Sequence, residues 1–224
     1  MERKNRRLFL IAGALLLLFI VFTIAVATFD VQAIGPNHSS VGFATINGFV
    51  FDELGTNVFW YDFTGLIGLV PILVVSCFAI VGLAQLIRRR SVKRMDADLL
   101  ILAAFYCAVA ACYVIFEVLV VNYRPILIGS ELEASYPSSH TLLLLCVMAT
   151  AVIQIRDRVG SKPLRTVLIV AALVIMAVMV IGRLLSGVHW LTDIVGSIVL
   201  ASALVLFYSA ACKRYACRPK HRRH

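Results

Sequence analysis

The chain has 224 residues, of which 61% are hydrophobic and only 15% charged, with a mean hydropathy of +0.94 and a formal charge of +9. That balance lies outside the range of a soluble globular domain and excludes one. The positive charge is split among short, separate segments, which excludes a nucleic-acid-binding stripe and marks contact with anionic membrane lipid instead.

A hydrocarbon core of ~30 Å takes about 20 helical residues to cross. Six apolar runs reach that length, at residues 8–29, 64–87, 98–121, 138–155, 163–182 and 190–211. The predicted fold is therefore all-α, a single membrane-embedded bundle of six transmembrane helices spanning residues 1–224. The first run follows a basic start and contains Ala25-Val26-Ala27, a small-x-small pattern. It is longer than the apolar region of a signal peptide, so a retained helix is expected.

The longest connection, 30–63, carries Phe43, Ile46, Val50 and Leu54 at helix-like intervals, followed by Trp60 and Tyr61. This suggests an interfacial helix with a lipid-guiding role, the alternative being a loop packed over the bundle mouth. Connection 122–137 contains Glu131 and Glu133, which read as a solvated loop, and ends in Pro137-Ser138-Ser139. Serine is a strong helix cap and proline is tolerated in a first turn, so the fourth span starts here with free backbone N–H groups. The sixth span opens at Trp190 and runs into a basic tail, 212–224.

All of the 21 Lys and Arg residues except Arg124 and Arg183 fall in four clusters, at 3–7, 88–94, 156–165 and 213–223. The positive-inside rule then places both termini and the second and fourth connections in the cytoplasm of a multi-pass plasma-membrane protein. The other three connections face outward. Five of the six cysteines (Cys77, Cys107, Cys112, Cys146 and Cys212) lie in or at the ends of spans, with Cys217 in the tail. None has zinc-ligand spacing, disulfides are not expected, and only Cys212 and Cys217 suit lipidation.

The two isolated arginines each precede a histidine motif. Arg124-Pro125 comes before Pro137-Ser138-Ser139-His140, and Arg183 before His189 and Asp193. Four residues apart on a helix, His189 and Asp193 share a face, so the carboxylate can accept a hydrogen bond from one imidazole nitrogen and leave the other free. These groups all lie at the outer ends of spans three to six, where ionisable residues are functional candidates by default. Two arginine forks and the amides of Ser138 and Ser139 at a helix start suit a phosphate. Phosphoryl transfer relies on such a cradle together with a nucleophile and a proton donor.

These residues resemble the type 2 phosphatidic acid phosphatase superfamily, which includes membrane lipid phosphatases and soluble vanadium haloperoxidases. Its Pro-Ser-Gly-His is similar to Pro137-Ser138-Ser139-His140, and its Ser-Arg-x5-His-x3-Asp to Gly182-Arg183 followed by His189 and Asp193. Of its Lys-x6-Arg-Pro, Arg124-Pro125 matches and Glu117 stands at the lysine position. The resemblance implies that His189 attacks phosphorus to form a phosphohistidine, Asp193 orients His189, and His140 protonates the leaving oxygen and later activates water. It further implies that Arg124 and Arg183 hold the phosphate and that neither metal nor cofactor is needed.

Glu117 reverses a charge. At an effective dielectric of ~20 and about 5 Å, a carboxylate repels a phosphate charge by about 3 kcal/mol. No third outer Lys or Arg replaces the missing cation, so Glu117 is either protonated by desolvation or paired with Arg124. The functional expectation is a lipid phosphate phosphatase acting in the bilayer on undecaprenyl diphosphate, phosphatidylglycerol phosphate or phosphatidic acid. A lipid phosphotransferase would use the same residues, and a weakly catalytic lipid-binding or scaffold homologue would follow from Glu117. A transporter has less support, because the ionisable residues gather at one membrane face.

Overall fold

Backbone N–H and C=O groups inside lipid have no water to bond, so long apolar segments must satisfy them internally by forming helices. The structure, a computed structural model, describes residues 2–215. Cys217 and the remaining basic residues of the tail lie outside the described residues. The helices are α1 (Glu2–Thr28), α2 (Ala44–Leu54), α3 (Val58–Ile67), α4 (Val70–Arg89), α5 (Ala97–Val118), α6 (Ser139–Arg158), α7 (Lys162–Leu185) and α8 (Leu191–Tyr215). Among the described residues six spans are long and apolar enough to cross a membrane: α1, α3 joined to α4, α5, α6, α7 and α8.

Two boundaries differ from expectation for local reasons. The second span begins at Val58 instead of residue 64, because the Asn57 side chain caps it by accepting from the Trp60 amide at 3.2 Å. It is interrupted at Gly68 and Leu69 and restarts with Pro71 in the first turn of α4. The third span stops at Val118, since Leu119 leaves helical geometry at ψ 81°.

The core lies where α8 meets α1, α5 and α6, and where α6 meets α4 and α7. Phe19 and Val26 of α1, Leu102 and Phe105 of α5, Leu142 of α6 and Tyr208 of α8 belong with Tyr136 to one buried cluster that runs along the bundle. Tyr136 stacks on Phe19 at 6.2 Å and shares a 2.8 Å hydrogen bond with Thr23. Outward leucines and isoleucines such as Leu73, Ile80 and Ile87 are exposed and face hydrocarbon. Lipid is as apolar as these side chains, so dispersion and interhelical hydrogen bonds, not water exclusion, hold the helices together.

At the basic end, Arg158 bonds Asp98 at 2.6 Å and Asp96 at 3.4 Å, while Arg89 bonds Asp96 at 2.9 Å. Gln154 accepts from Arg158 Nε at 2.6 Å and donates to the Tyr208 hydroxyl at 2.6 Å. Ion pairs therefore tie α4, α5 and α6 together at that end, and the Gln154–Tyr208 hydrogen bond adds α8. The opposite end carries the loops that hold the candidate site.

There α2 fulfils the expectation of a helix in the long connection, and it packs over the mouth. Asn47, 1% exposed, donates to Thr192 Oγ1 at 2.9 Å and accepts from the Thr192 amide at 3.2 Å. This fixes the first turn of α8. Gly187, at φ +68°, allows the turn before α8 to cross the α2–α3 connection, where a Cβ would stand 2.3 Å from the Gly55 carbonyl oxygen.

Candidate active site

The last turn of α7 buries Arg183 to 1% exposure. Its Nη2 donates to His140 Nδ1 at 3.1 Å and its Nη1 to Thr64 Oγ1 at 3.4 Å, and its guanidinium lies 5.9 Å from the Tyr61 ring centre. Arginine is a donor only, so His140 Nδ1 is the acceptor and the proton of the neutral ring is on Nε2. Thus α6 presents an N–H donor from its first turn, one helix away from Arg183.

His189 lies in the turn before α8, so it does not share a helix with Asp193 as its spacing predicted. The Nδ1 to Oδ2 distance is 3.6 Å, too long for the expected direct hydrogen bond. Ser135 stands between them: its hydroxyl is 3.0 Å from His189 Nδ1 and donates to Asp193 Oδ2 in a short hydrogen bond. Asp193 Oδ2 also accepts from the Trp190 amide at 2.8 Å. With its one proton given to the carboxylate, Ser135 accepts from Nδ1–H, which leaves the lone pair on His189 Nε2.

That Nε2 is buried and has no hydrogen-bond partner. Burial, and then the charges of Arg183 and Arg124, hold the His189 imidazole well below its ordinary basicity. His189 is therefore a neutral imidazole with a free nitrogen, within electrostatic reach of two cations.

Arg124 is placed by a short antiparallel pairing within 119–138. Tyr123 bridges Ala134, the Arg124 amide donates to the Glu133 carbonyl at 3.1 Å, and the Ser135 amide to the Asn122 carbonyl at 2.9 Å. Trp190 Nε1 anchors this segment to α8 through the Tyr123 carbonyl at 2.7 Å. The register sets Glu133 opposite Arg124, and the two form an ion pair at 3.0 Å. Glu133, read from sequence as a loop residue without chemistry, is thus the partner of Arg124, a role considered for Glu117.

Glu117 is exposed in the last turn of α5, beside Tyr113, and borders a small cavity with Ser135 and Ser139. Ser138 differs from expectation: its amide donates to the Asp193 carbonyl at 3.2 Å, its hydroxyl pairs with Thr141 at 3.0 Å, and it is 0% exposed. Of the two serines, Ser139 alone remains at the mouth. Among the described residues no three His, Cys, Asp or Glu side chains are grouped as for a metal ion.

Sequence reasoning missed Ser135, Thr64 and Tyr61. Ser135 carried a faint signal, lying two residues before Pro137, whereas Thr64 and Tyr61 come from a remote span. Gly182, which stands where the similar motif has serine, has a steric cause: a Cβ there would meet Thr64 Cγ2 at 2.6 Å and Trp60 Cε3 at 2.8 Å. Gly182→Ser, which introduces the serine of the similar motif, is expected to displace Thr64 from Arg183 and to destabilise the protein by ~1–3 kcal/mol through overpacking. A lowered thermal-unfolding midpoint in detergent checks this; an unchanged midpoint would show that α3 yields freely.

The family model of the PAP2 superfamily matches residues 122–215. A solved structure described as the first transmembrane PAP2 type phosphatidylglycerolphosphate phosphatase from Bacillus subtilis is similar to the chain with a TM-score of 0.67 and 16% sequence identity. It covers 93% of this chain and 98% of its own. At that identity the likeness speaks for the fold. No curated protein sequence matches the chain. The segment that matches the PAP2 superfamily model carries Arg124, His140, Arg183, His189 and Asp193, and the chain's fold is similar to that of a membrane PAP2 protein.

Proposed function

We propose that the protein is a membrane lipid phosphatase that removes phosphate from a lipid phosphomonoester or diphosphate at the extracytoplasmic leaflet, through a phosphohistidine at His189. The observation that carries this reading is the unpartnered, buried Nε2 of His189, on an imidazole within electrostatic reach of Arg183 and Arg124, while Ser135 and Asp193 hold the other side of its ring. The leaflet follows from the basic clusters, which gather at the opposite end of the bundle.

In this reading Nε2 attacks phosphorus in line with the ester oxygen while Arg124, Arg183 and Ser139 bind the equatorial oxygens. The phosphate exchanges with Glu133 for Arg124, and it draws Arg183 Nη2 away from His140 Nδ1. That nitrogen can then take a proton, and the resulting imidazolium protonates the leaving oxygen. Neutral again, His140 accepts a proton from water as the water oxygen attacks phosphorus; the P–N bond breaks, its electron pair returns to Nε2, and phosphate is released. The Ser135–Asp193 pair stabilises Nδ1–H while the phosphorylated ring carries positive charge. No step requires a metal.

Glu117 beside Tyr113, with Arg124 already paired to Glu133, supports an active centre over a disabled one. The test is phosphate release by purified protein from phosphatidic acid, phosphatidylglycerol phosphate and undecaprenyl diphosphate in mixed micelles containing a metal chelator. Release from at least one is expected, with an acid-labile phosphate trapped on the protein. No release from any would overturn the reading, and transfer to an added alcohol without free phosphate would assign a phosphotransferase.

A further inference from the structure

Asn122 sits in the short pairing that places Arg124. Its backbone carbonyl accepts from the Ser135 amide at 2.9 Å, so it lies opposite the residue that stands between His189 and Asp193. Its side chain belongs to a residue only 1% exposed, and the side-chain oxygen accepts from the Gly42 amide at 3.1 Å. Gly42 is itself held: Asn47 donates to its carbonyl at 2.8 Å, and a Cβ there would collide with the Val26 carbonyl. The bond to Gly42 fixes the orientation of the Asn122 amide, because a backbone N–H is met by its oxygen and not by its nitrogen.

The NH₂ end is left over. Asn122 Nδ2 is buried and has no hydrogen-bond partner among the described residues. Asp193 Oδ1 is likewise buried and without a partner, although Oδ2 accepts from both the Ser135 hydroxyl and the Trp190 amide. The two side chains adjoin, near enough for hydrogen bonding. A buried donor and a buried carboxylate oxygen are each costly to leave unmet, and a small rotation of the amide satisfies both at once.

We propose that Asn122 is a positioning residue of the active site, its NH₂ group donating to Asp193 Oδ1 and keeping Oδ2 turned towards Ser135. Its catalytic use rests on the phosphatase reading; the bond itself does not. With Oδ1 held, the carboxylate cannot rotate, and its charge stays directed through Ser135 at Nδ1–H while the His189 ring carries phosphate. One residue then aligns both groups behind the nucleophile, Ser135 by its backbone and Asp193 by its side chain.

Exchanging the two residues tests the bond without reference to turnover. Asn122→Asp sets a carboxylate against a carboxylate while keeping an oxygen for the Gly42 amide. Asp193→Asn sets NH₂ against NH₂, because its oxygen stays on the Trp190 amide. Each is expected to lower the thermal-unfolding midpoint of the full-length protein in detergent by about 5 °C. Asn122→Asp combined with Asp193→Asn restores one donor and one acceptor and should recover most of the loss. Additive losses, or single variants that melt with the wild type as a bridging water would allow, would overturn the bond. Asn122→Ala reads the catalytic use: kcat is expected to fall about tenfold with KM changed less than about threefold, and by no more than about twofold in an Asp193→Asn background. An equal loss in both backgrounds would reduce Asn122 to an anchor for Gly42, and an unchanged kcat would overturn the positioning role. A wild type that releases no phosphate from any lipid would overturn the phosphatase reading and the positioning role with it, leaving the bond to be judged by the exchange.

Discussion

His189→Ala is expected to lower kcat by at least ~10⁴-fold with KM changed only a few-fold, because the cradle remains while the group that forms the covalent bond is gone. The same variant should leave no acid-labile phosphate on the protein. Orthophosphate release and phosphate trapping check the two statements, and residual turnover within a hundredfold of wild type would assign the attack to another group.

The electrostatics of His189 add a pH signature. Burial, then Arg183 and Arg124, depress its protonation, so its lone pair persists below the ordinary imidazole value of about 6.5. The acid limb of kcat/KM, which reports the free enzyme, should therefore lie below that value. The stability consequence has a definite sign. The unfolded histidine takes up a proton near pH 6.5 while the folded one does not, so stability is lost as pH falls through that region. His189→Ala should accordingly lose less stability than wild type between pH 7 and 5.

Ser135→Ala is expected to reduce kcat by ~10²-fold or more with little change in KM. Without the hydroxyl, His189 Nδ1 and Asp193 Oδ2 remain 3.6 Å apart with nothing between them, and Nδ1–H loses its acceptor. Asp193→Asn should cost more, since it removes the charge that favours the phosphorylated imidazolium. If Ser135 acts only through Asp193, the double variant should be no slower than Asp193→Asn alone, because groups that work as one unit are not additive. Additive losses would mean that Ser135 serves a separate purpose.

The six spans were legible because lipid demands ~20 apolar residues in a row, a signal that no packing detail can hide. Their ends were less legible where a single side chain decides, as with the Asn57 cap and the Gly68 interruption. Arg183, His140, His189 and Asp193 could be picked out because each breaks an apolar context and the spacing between them repeats a known pattern. Ser135 could not, because its partners lie 54 and 58 residues away, a relation set by the fold of 119–138 against α8. Glu133 became meaningful only when the pairing of Tyr123 with Ala134 fixed the register. Gly182 shows the same limit from another side: what is absent from a side chain can be read in sequence, but the approach of Trp60 and Thr64 that requires the absence cannot.

The hydrogen bonds from Asn47 to Thr192 have a mechanical consequence. Thr192 is the neighbour of Asp193, so α2, an amphipathic helix that contributes no catalytic atom, bears directly on the backbone that aims His189. A helix lying at the mouth of a bundle feels the lateral pressure of the surrounding headgroups. A displacement of α2 at the membrane surface would thereby be felt, through one asparagine, in the turn of α8 that carries Asp193, beside the proposed nucleophile.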